Sequence, residues 1–269
     1  MIDQIVRNAP VFLLIAVRCF AMLLSLPLFS MRTVPRMAKV ALAGYLAYAV
    51  MPKVDFSGYA SFLAGNGSFT LDYIFLLAGE ALIGIILGFY VTIIFSAFST
   101  AGQFFAFQMG FSASEVYDAL SQVENPLMGQ YLNLIAMLVF LQTNWLQRLF
   151  IKGLAESFHS LDVFKLIAGH VAFTKFMVSG LTSLFEDALI ISLPIMGTLC
   201  LITVCMGVLS KAAPQMNLLS EGFPIMMLVS FILLTALMPS FIDYFSRAFS
   251  VGFGQLESLL VQLSGKGGA

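Results

Sequence analysis

The chain has 269 residues, of which 60% are hydrophobic and 10% are charged, and its formal net charge is −1. Soluble domains carry about 25% charged residues, so the composition excludes an ordinary soluble domain, and the near-zero charge gives no field that would attract nucleic acid. A mean hydropathy of +0.97 indicates an all-α polytopic membrane protein, because helices satisfy their own backbone hydrogen bonds in lipid.

Apolar runs divide the chain into about six candidate helical segments. They cover residues 10–31, 40–51, 73–100, 127–145, 176–210 and 223–244. A helix needs about 20 apolar residues to cross the hydrocarbon core, so the second run predicts only a short or re-entrant span. Together the runs predict a single membrane-embedded domain over residues 1–269.

In the third run an acid is followed by a small or polar residue at every fourth position. The row consists of Glu80, Gly84, Gly88, Thr92, Ser96 and Thr100. Residues at this spacing share one helix face, and small ones let a second helix backbone approach closely. The alternative is a chance row on an ordinary span. Glu80, like Arg18 inside the first run, is expected to face protein or water, because charges are costly in lipid.

Residues 101–126 begin as an apolar stretch but do not continue as a span. Four phenylalanines lie among glutamines and glycines in residues 102–111, and residues 112–125 contain three acids and no cation. Irregular backbone at membrane depth is tolerated only inside protein or along a water-filled cavity, which is one interpretation of this segment. The other is a surface loop with an apolar start.

Residues 148–175 hold four cations and both histidines, with Phe and Leu interspersed. This pattern predicts an amphipathic helix-turn-helix that lies at the membrane interface or against partner protein. His159 and His170 have no acid or cysteine at metal-ligand spacing, and the three cysteines are interpreted as small buried hydrophobic residues. We therefore expect no metal and no cofactor.

Catalytic motifs are absent from the sequence. It has no phosphate-binding loop, no nucleophile elbow and no His-Glu-x-x-His pair. A Ser or Cys nucleophile would need a nearby base, and both histidines lie together in one extramembrane stretch. The prediction is that the chain is not an enzyme.

A compact polar break, residues 207–224, separates the last two apolar runs. It contains the cation Lys211 and the amides Gln215 and Asn217. Pro214 and Pro224 are spaced to end one helix and to begin the next.

The sequence Ala213-Pro-Gln-Met-Asn217, followed by Gly222-Phe-Pro224, resembles the FliR family of bacterial flagellar type III secretion, which has a related family, SctT, in injectisomes. Further pieces agree in order along nearly the whole chain. They are Pro27-Leu-Phe29, Pro35, Glu80 with Gly84 and Gly88, Ala101-Gly102, Phe107-Gln-Met-Gly110, Phe140-Leu141, Ser157-Phe158, Pro194, and Gly207 with Ser210.

The resemblance implies a subunit of the flagellar export gate in the bacterial inner membrane, at the flagellar basal body. One copy would assemble with FliP-like, FliQ-like and FlhB-like subunits around a closed pore, through which unfolded flagellar subunits pass. The apparent spans would then be helical hairpins in a hetero-oligomer, partly raised out of the bilayer.

The resemblance also assigns roles to particular positions. A pore plug maps to residues 104–126, and its named residues are Phe104, Phe105, Phe107, Gln108, Met109, Gly110 and Phe111. The residues expected to serve helix packing or assembly are Glu80, Gly84, Gly88, Lys211, Pro214, Gln215, Asn217, Gly222 and Pro224.

A different class of function remains as the alternative, namely a small-molecule or ion-coupled secondary transporter with Glu80 as the coupling acid. Such transporters are commonly built from inverted repeats, and the sequence shows no convincing repeat.

Overall fold

The computed structural model describes residues 9–30, 34–54, 71–110, 127–213 and 218–263. Within these ranges all regular structure is helical, in agreement with the predicted all-α class. The helices are α1 (Ala9–Ser25), α2 (Pro27–Ser30), α3 (Arg36–Val50), α4 (Leu71–Met109), α5 (Leu127–Gln142), α6 (Trp145–Arg148), α7 (Leu154–Ser160), α8 (Val163–Ala168), α9 (His170–Ala212) and α10 (Leu218–Leu263). A 3₁₀ turn (Met51–Lys53) follows α3, and a π-helical turn (Leu149–Gly153) joins α6 to α7.

Three of the described helices, α4, α9 and α10, are long and apolar enough to cross a membrane. A fourth span is obtained only if α5 and the segment Trp145–Ser160 are counted together. The expected number of six spans is therefore not confirmed. Helix α1 has only 17 residues and ends before Pro27, and α3 has 15 residues, whereas about 20 are needed.

Several helices extend beyond the apolar runs that predict them. Helix α4 continues past Thr100 to Met109, and α9 begins at His170 and passes through Pro194. Helix α10 contains Pro224 inside it, so the prediction that this proline begins a helix is wrong. The segment predicted as a helix-turn-helix is instead a series of short helices, α6, the π turn, α7 and α8, followed by the start of α9.

The chain divides into two compact units. The first comprises Met1–Ile93, Asn144–Gly180 and Ser250–Ala269. Its core includes Leu14, Tyr73 and Leu76, all buried, and Val163 packs against them. The Tyr73 hydroxyl donates a hydrogen bond of 2.8 Å to the Pro10 carbonyl, so α1 and the start of α4 are joined by both apolar and polar contacts.

The second unit comprises Ile94–Thr143 and Leu181–Phe249. Its core is a cluster of aromatic rings on α4, α5 and α10, with centroid separations from 4.2 to 5.5 Å. The rings belong to Phe95, Phe98, Phe140, Phe245 and Phe249. Aromatic packing of this kind contributes beyond the buried area alone.

Candidate functional site

Two opposite charges lie inside the first unit, on helices that are otherwise apolar. Arg18 is on α1 and Glu80 is on α4, and their side chains are 1% and 0% exposed. Arg18 Nε donates to Glu80 Oε2 at 2.5 Å. A buried charge is tolerated when it is paired and hydrogen-bonded, and this pairing places the two charges inside protein rather than in lipid.

The other guanidinium nitrogens of Arg18 reach the segment that follows α6. Nη1 donates to Ser157 Oγ at 3.2 Å, and Nη2 donates to the Leu161 carbonyl at 3.0 Å. The Phe158 ring lies under the guanidinium, with 3.9 Å from Cζ to the ring centroid. Each guanidinium nitrogen therefore donates a hydrogen bond inside the protein, which makes this site a structural clamp.

The break between α7 and α8 makes the Leu161 carbonyl available. Leu161 adopts an extended conformation after the last turn of α7. Asp162 then caps α8, because its Oδ1 accepts a hydrogen bond of 2.7 Å from the Lys165 backbone N–H. Carbonyls at a helix end have no intrahelical partner, and Arg18 supplies one here.

Helix α1 packs closely on the Glu80–Gly84–Gly88 face of α4. A Cβ atom at Gly84 would meet the Arg18 carbonyl and, at 3.0 Å, the Ala21 Cβ. A Cβ atom at Gly88 would lie 2.7 Å from the Met22 carbonyl. One turn further, Thr92 Oγ1 donates to the Ser25 carbonyl at 2.6 Å. The structure thus brings these ridge residues together against one helix of the same chain.

Gly79, next to Glu80, serves a second close approach. A Cβ atom there would lie 2.5 Å from Val163 Cγ2 of α8. The side chains of Val163 and Arg18 thus hold the segment after α6 against two neighbouring positions of α4. Sequence reasoning did not identify Gly79.

The predicted plug residues that the structure describes lie at the end of α4, in the second unit. Phe105 and Met109 are buried, Phe104 and Gln108 are half-buried, and Phe107 is 75% exposed. Gly110 ends the helix with a φ of 84°, and a Cβ atom there would meet the Phe223 ring of α10. Phe111 and residues 112–126 lie outside the described residues, so the plug stays a prediction.

The predicted assembly residues of the polar break are only partly described. Lys211 is exposed in the last turn of α9. Gly222 is buried in α10, where a Cβ atom would lie 2.5 Å from Met206 Cε, and Pro224 is exposed. Pro214, Gln215 and Asn217 lie outside the described residues. The role of this group in assembly therefore stays a prediction.

The sequence predicts that Arg18 and Glu80 each avoid lipid, but it does not predict that they pair. The available signal was that each is the lone charge deep in a long apolar run, with opposite signs. Another acid inside an apolar run, Asp187 in the second unit, accepts a hydrogen bond of 2.7 Å from the Tyr244 hydroxyl. In the described ranges no group of three His, Cys, Asp or Glu residues could hold a metal ion.

Comparison with known proteins gives consistent matches along the chain. The family described as bacterial export proteins, family 1, matches residues 9–251. The chain is 29% identical to flagellar biosynthetic protein FliR of Bacillus subtilis, over 96% of this chain and 97% of the relative. It is 30% identical to FliR of Escherichia coli over 91% of each chain. It is 29% identical to surface presentation of antigens protein SpaR of Shigella sonnei, over 61% of this chain and 63% of that one.

Proposed function

Because this chain belongs to the bacterial export proteins, family 1, we propose that it is a subunit of the flagellar type III protein export gate. The resemblance to the FliR family is confirmed by several FliR relatives that match most of the chain. As predicted, the chain is an export component and not an enzyme. Its apolar helices of membrane length support a membrane location.

The observation that carries the proposal is the length over which the long helices expose apolar side chains. On α9 exposed apolar residues extend from Val171 to Leu209, and on α10 from Ile225 to Val261. At 1.5 Å per residue these stretches span about 57 and 54 Å, whereas the hydrocarbon core is about 30 Å thick. Tilts of 0–40° do not shorten them to that thickness.

Other protein subunits are therefore the natural cover for the part that lipid cannot reach. We propose that FliP-like, FliQ-like and FlhB-like subunits pack on these faces, and that the helices act as hairpins in a hetero-oligomer. The same proposal locates the complex in the bacterial inner membrane at the flagellar basal body. Exported unfolded proteins are its cargo.

Within this complex we propose that residues 104–126 close the pore. The end of α4 supports this, because Phe107 is exposed while Phe105 and Met109 anchor the same two turns in the second unit. Large apolar side chains at such a position would form a seal against ions while the gate is closed.

The transporter alternative receives less support. The relatives are named for flagellar biosynthesis and antigen presentation, and the family is named for export. In addition, Glu80 is fully buried against Arg18. A coupling acid must meet water or ions from both sides of the membrane, and this geometry offers Glu80 a fixed cation instead.

Coexpression tests the proposed assembly. The chain is produced with FliP-like and FliQ-like subunits from one bacterium and extracted in mild detergent. Native mass spectrometry then measures the mass of the intact complex. We expect one stable mass that contains all three proteins in fixed proportions. A chain that purifies alone as a stable monomer, and that responds to a small solute, would support the transporter instead.

A further inference from the structure

A cleft of about 250 Å³ opens in the first unit, between the segment after Asn144 and the end of α10. Its lining includes Trp145, Arg148, Lys152, Leu256 and Glu257. Nothing assigned above uses this cleft. Its volume is close to the lower end of the range for small-molecule sites, so it can hold a compact polar group.

One wall of the cleft is an aromatic pair that carries a cation. The Trp145 and Phe253 rings stack with centroids 5.0 Å apart and an interplanar angle of 7°. The Arg148 guanidinium carbon lies 4.9 Å from the Trp145 ring centroid. Tryptophan concentrates at the membrane–water interface, where its ring meets lipid headgroups. The wall therefore has the chemistry of a headgroup contact.

The cleft presents cations and acids in equal number. Arg148 immediately precedes the π turn and Lys152 lies within it, and π-helical turns frequently mark functional sites. Glu156 and Glu257 also line the cleft. In the part of the chain that the structure describes, no carboxylate lies within 4.0 Å of the Arg148 guanidinium, so its donors face an open site.

The second cation is held only loosely. Lys152 Nζ lies 3.1 Å from Glu257 Oε1, and the two side chains are 73% and 59% exposed. Exposed pairs of this kind contribute about 0–1 kcal/mol. A ligand with a negative and a positive group can therefore replace the pair at small cost, by taking the lysine on one side and the glutamate on the other.

The floor of the cleft is apolar. Leu256 and Leu260 are buried beneath it. Gly254 lines the opening, and a Cβ atom there would meet nothing within 4 Å. A larger side chain at Gly254 would therefore fill the cleft without displacing its neighbours.

We propose that this cleft binds the headgroup of a zwitterionic phospholipid with a primary ammonium, such as phosphatidylethanolamine. The phosphate is bound by Arg148 and Lys152, and the ammonium is bound by Glu257. The glycerol and the upper acyl carbons lie against Trp145 and Leu256. Charge-assisted hydrogen bonds of this type are about twice as strong as neutral ones. The site depends on the membrane location of the chain and not on its export role.

The balance of charge in the lining favours this ligand over a purely anionic headgroup. An anionic lipid such as phosphatidylglycerol would engage the two cations but would leave Glu257 without a positive partner. The Glu257 charge would then repel its phosphate, whereas the ammonium of phosphatidylethanolamine neutralises that charge. Phosphatidylcholine offers a positive charge without N–H donors, so it cannot hydrogen-bond the carboxylate.

Native mass spectrometry of the delipidated complex tests the site, with phosphatidylethanolamine or phosphatidylglycerol added back. If no complex forms, the full chain alone is used, so failure of the assembly does not decide this test. We expect retention of phosphatidylethanolamine to exceed that of phosphatidylglycerol by about tenfold, because one charge-assisted hydrogen bond is lost with the latter. Equal retention of the two lipids would overturn the proposal.

Four variants, one of them a control, locate the binding. Gly254→Leu should abolish retention by filling the cleft, whereas Gly44→Leu on α3, where a Cβ atom also meets nothing within 4 Å, should leave it unchanged. Arg148→Gln should weaken both lipids, and Glu257→Gln should remove the preference between them. A Gly254→Leu protein that retains phosphatidylethanolamine as the wild type does would place the lipid elsewhere and refute the proposal.

Two further outcomes would assign the cleft to another occupant. Displacement of the lipid by inorganic phosphate at equal concentration would indicate a site for a free anion. A photo-crosslinker placed at Gly254 that captures a partner subunit and no lipid would indicate a protein contact. The proposal requires instead a crosslink to lipid and no competition by phosphate.

Discussion

Arg18 connects three parts of the first unit through one side chain. It contacts Glu80 on α4, Ser157 on α7 and the Leu161 carbonyl that follows α7. A buried ion pair adds little net stability over apolar residues, because desolvation offsets the attraction, but loss of one partner is costly. The value of the pair lies in fixing which segments meet.

Glu80→Gln should therefore destabilise the protein by about 3–5 kcal/mol, because Arg18 is left as an uncompensated buried charge. The double variant Arg18→Met with Glu80→Met should recover most of that loss, since neither charge remains. Unfolding by denaturant in detergent micelles measures both, provided that the transition is reversible.

The matched control for this prediction is the exposed pair of Lys152 and Glu257. Glu257→Gln should change the free energy of unfolding by about 0–1 kcal/mol. If Glu80→Gln changes stability as little as Glu257→Gln does, the clamp at Arg18 has no structural role.

At the scale of helices, α4 provides the surface on which α1 packs. Gly84 and Gly88 lie directly under the α1 backbone, and Thr92 donates to the last carbonyl of that helix. Small residues at four-residue spacing allow such contact in membranes, where packing replaces the hydrophobic effect as the driving force. The role of this ridge in assembly with other subunits remains a prediction.

Gly88→Ala should destabilise the protein by about 1–3 kcal/mol, the usual cost of overpacking. The new methyl group would lie 2.6 Å from Ser25 Cβ and 2.7 Å from the Met22 carbonyl. The same change at Gly44 should stabilise by about 0.5–1 kcal/mol, because alanine favours the helix and meets nothing there. Thermal unfolding of the two variants should thus shift in opposite directions; a shift of the same sign would count against the close contact.

The proposed plug leads to a further prediction at the scale of helices and segments. Deletion of residues 112–121 should raise the conductance of the assembled complex in planar bilayers, because about half of the proposed plug is removed while the long helices remain. Deletion of residues 58–67, a stretch with three glycines that lies outside the proposed plug, provides a control of equal length. Unchanged conductance in an assembled complex that lacks residues 112–121 would contradict the plug.

The presence of the long helices could be predicted from the sequence more accurately than the residues at which the helices end. The apolar runs predicted α4, α9 and α10, because hydropathy identifies segments that avoid water. They do not predict the extension of α4 to Met109, because hydropathy measures fitness for lipid, whereas the last turns of α4 include two glutamines and bury only one side, with Phe105 and Met109, in protein. The first apolar run predicts a helix longer than α1, because the apolar residues continue past Pro27 whereas α1 ends at Ser25.

The residues of the site could be predicted from the sequence, but the contact between Arg18 and Glu80 could not. The ridge on α4 follows from a period of four along one helix, which is local information. The contact of Arg18 with Glu80 joins residues 62 positions apart, and its third member, the Leu161 carbonyl, depends on where α7 ends. Such contacts arise from the packing of separate helices, so no local pattern encodes them.

For the molecule as a whole, the composition predicted a membrane protein and the relatives identify an export family. The length of apolar surface on α9 and α10 favours cover beyond a bilayer, which is the physical argument for the proposed hetero-oligomer. The central claim is that this chain lines the path of exported proteins in that assembly.

Photo-crosslinking to a stalled export substrate tests that claim most directly. A photoreactive residue at Phe107, which is exposed near the proposed plug, should form an adduct with the substrate in the assembled complex. The same residue at Leu201, exposed on α9, should react with lipid or neighbouring subunits instead. Absence of the adduct at Phe107 in a complex that retains the substrate, or equal adducts at both positions, would contradict the account.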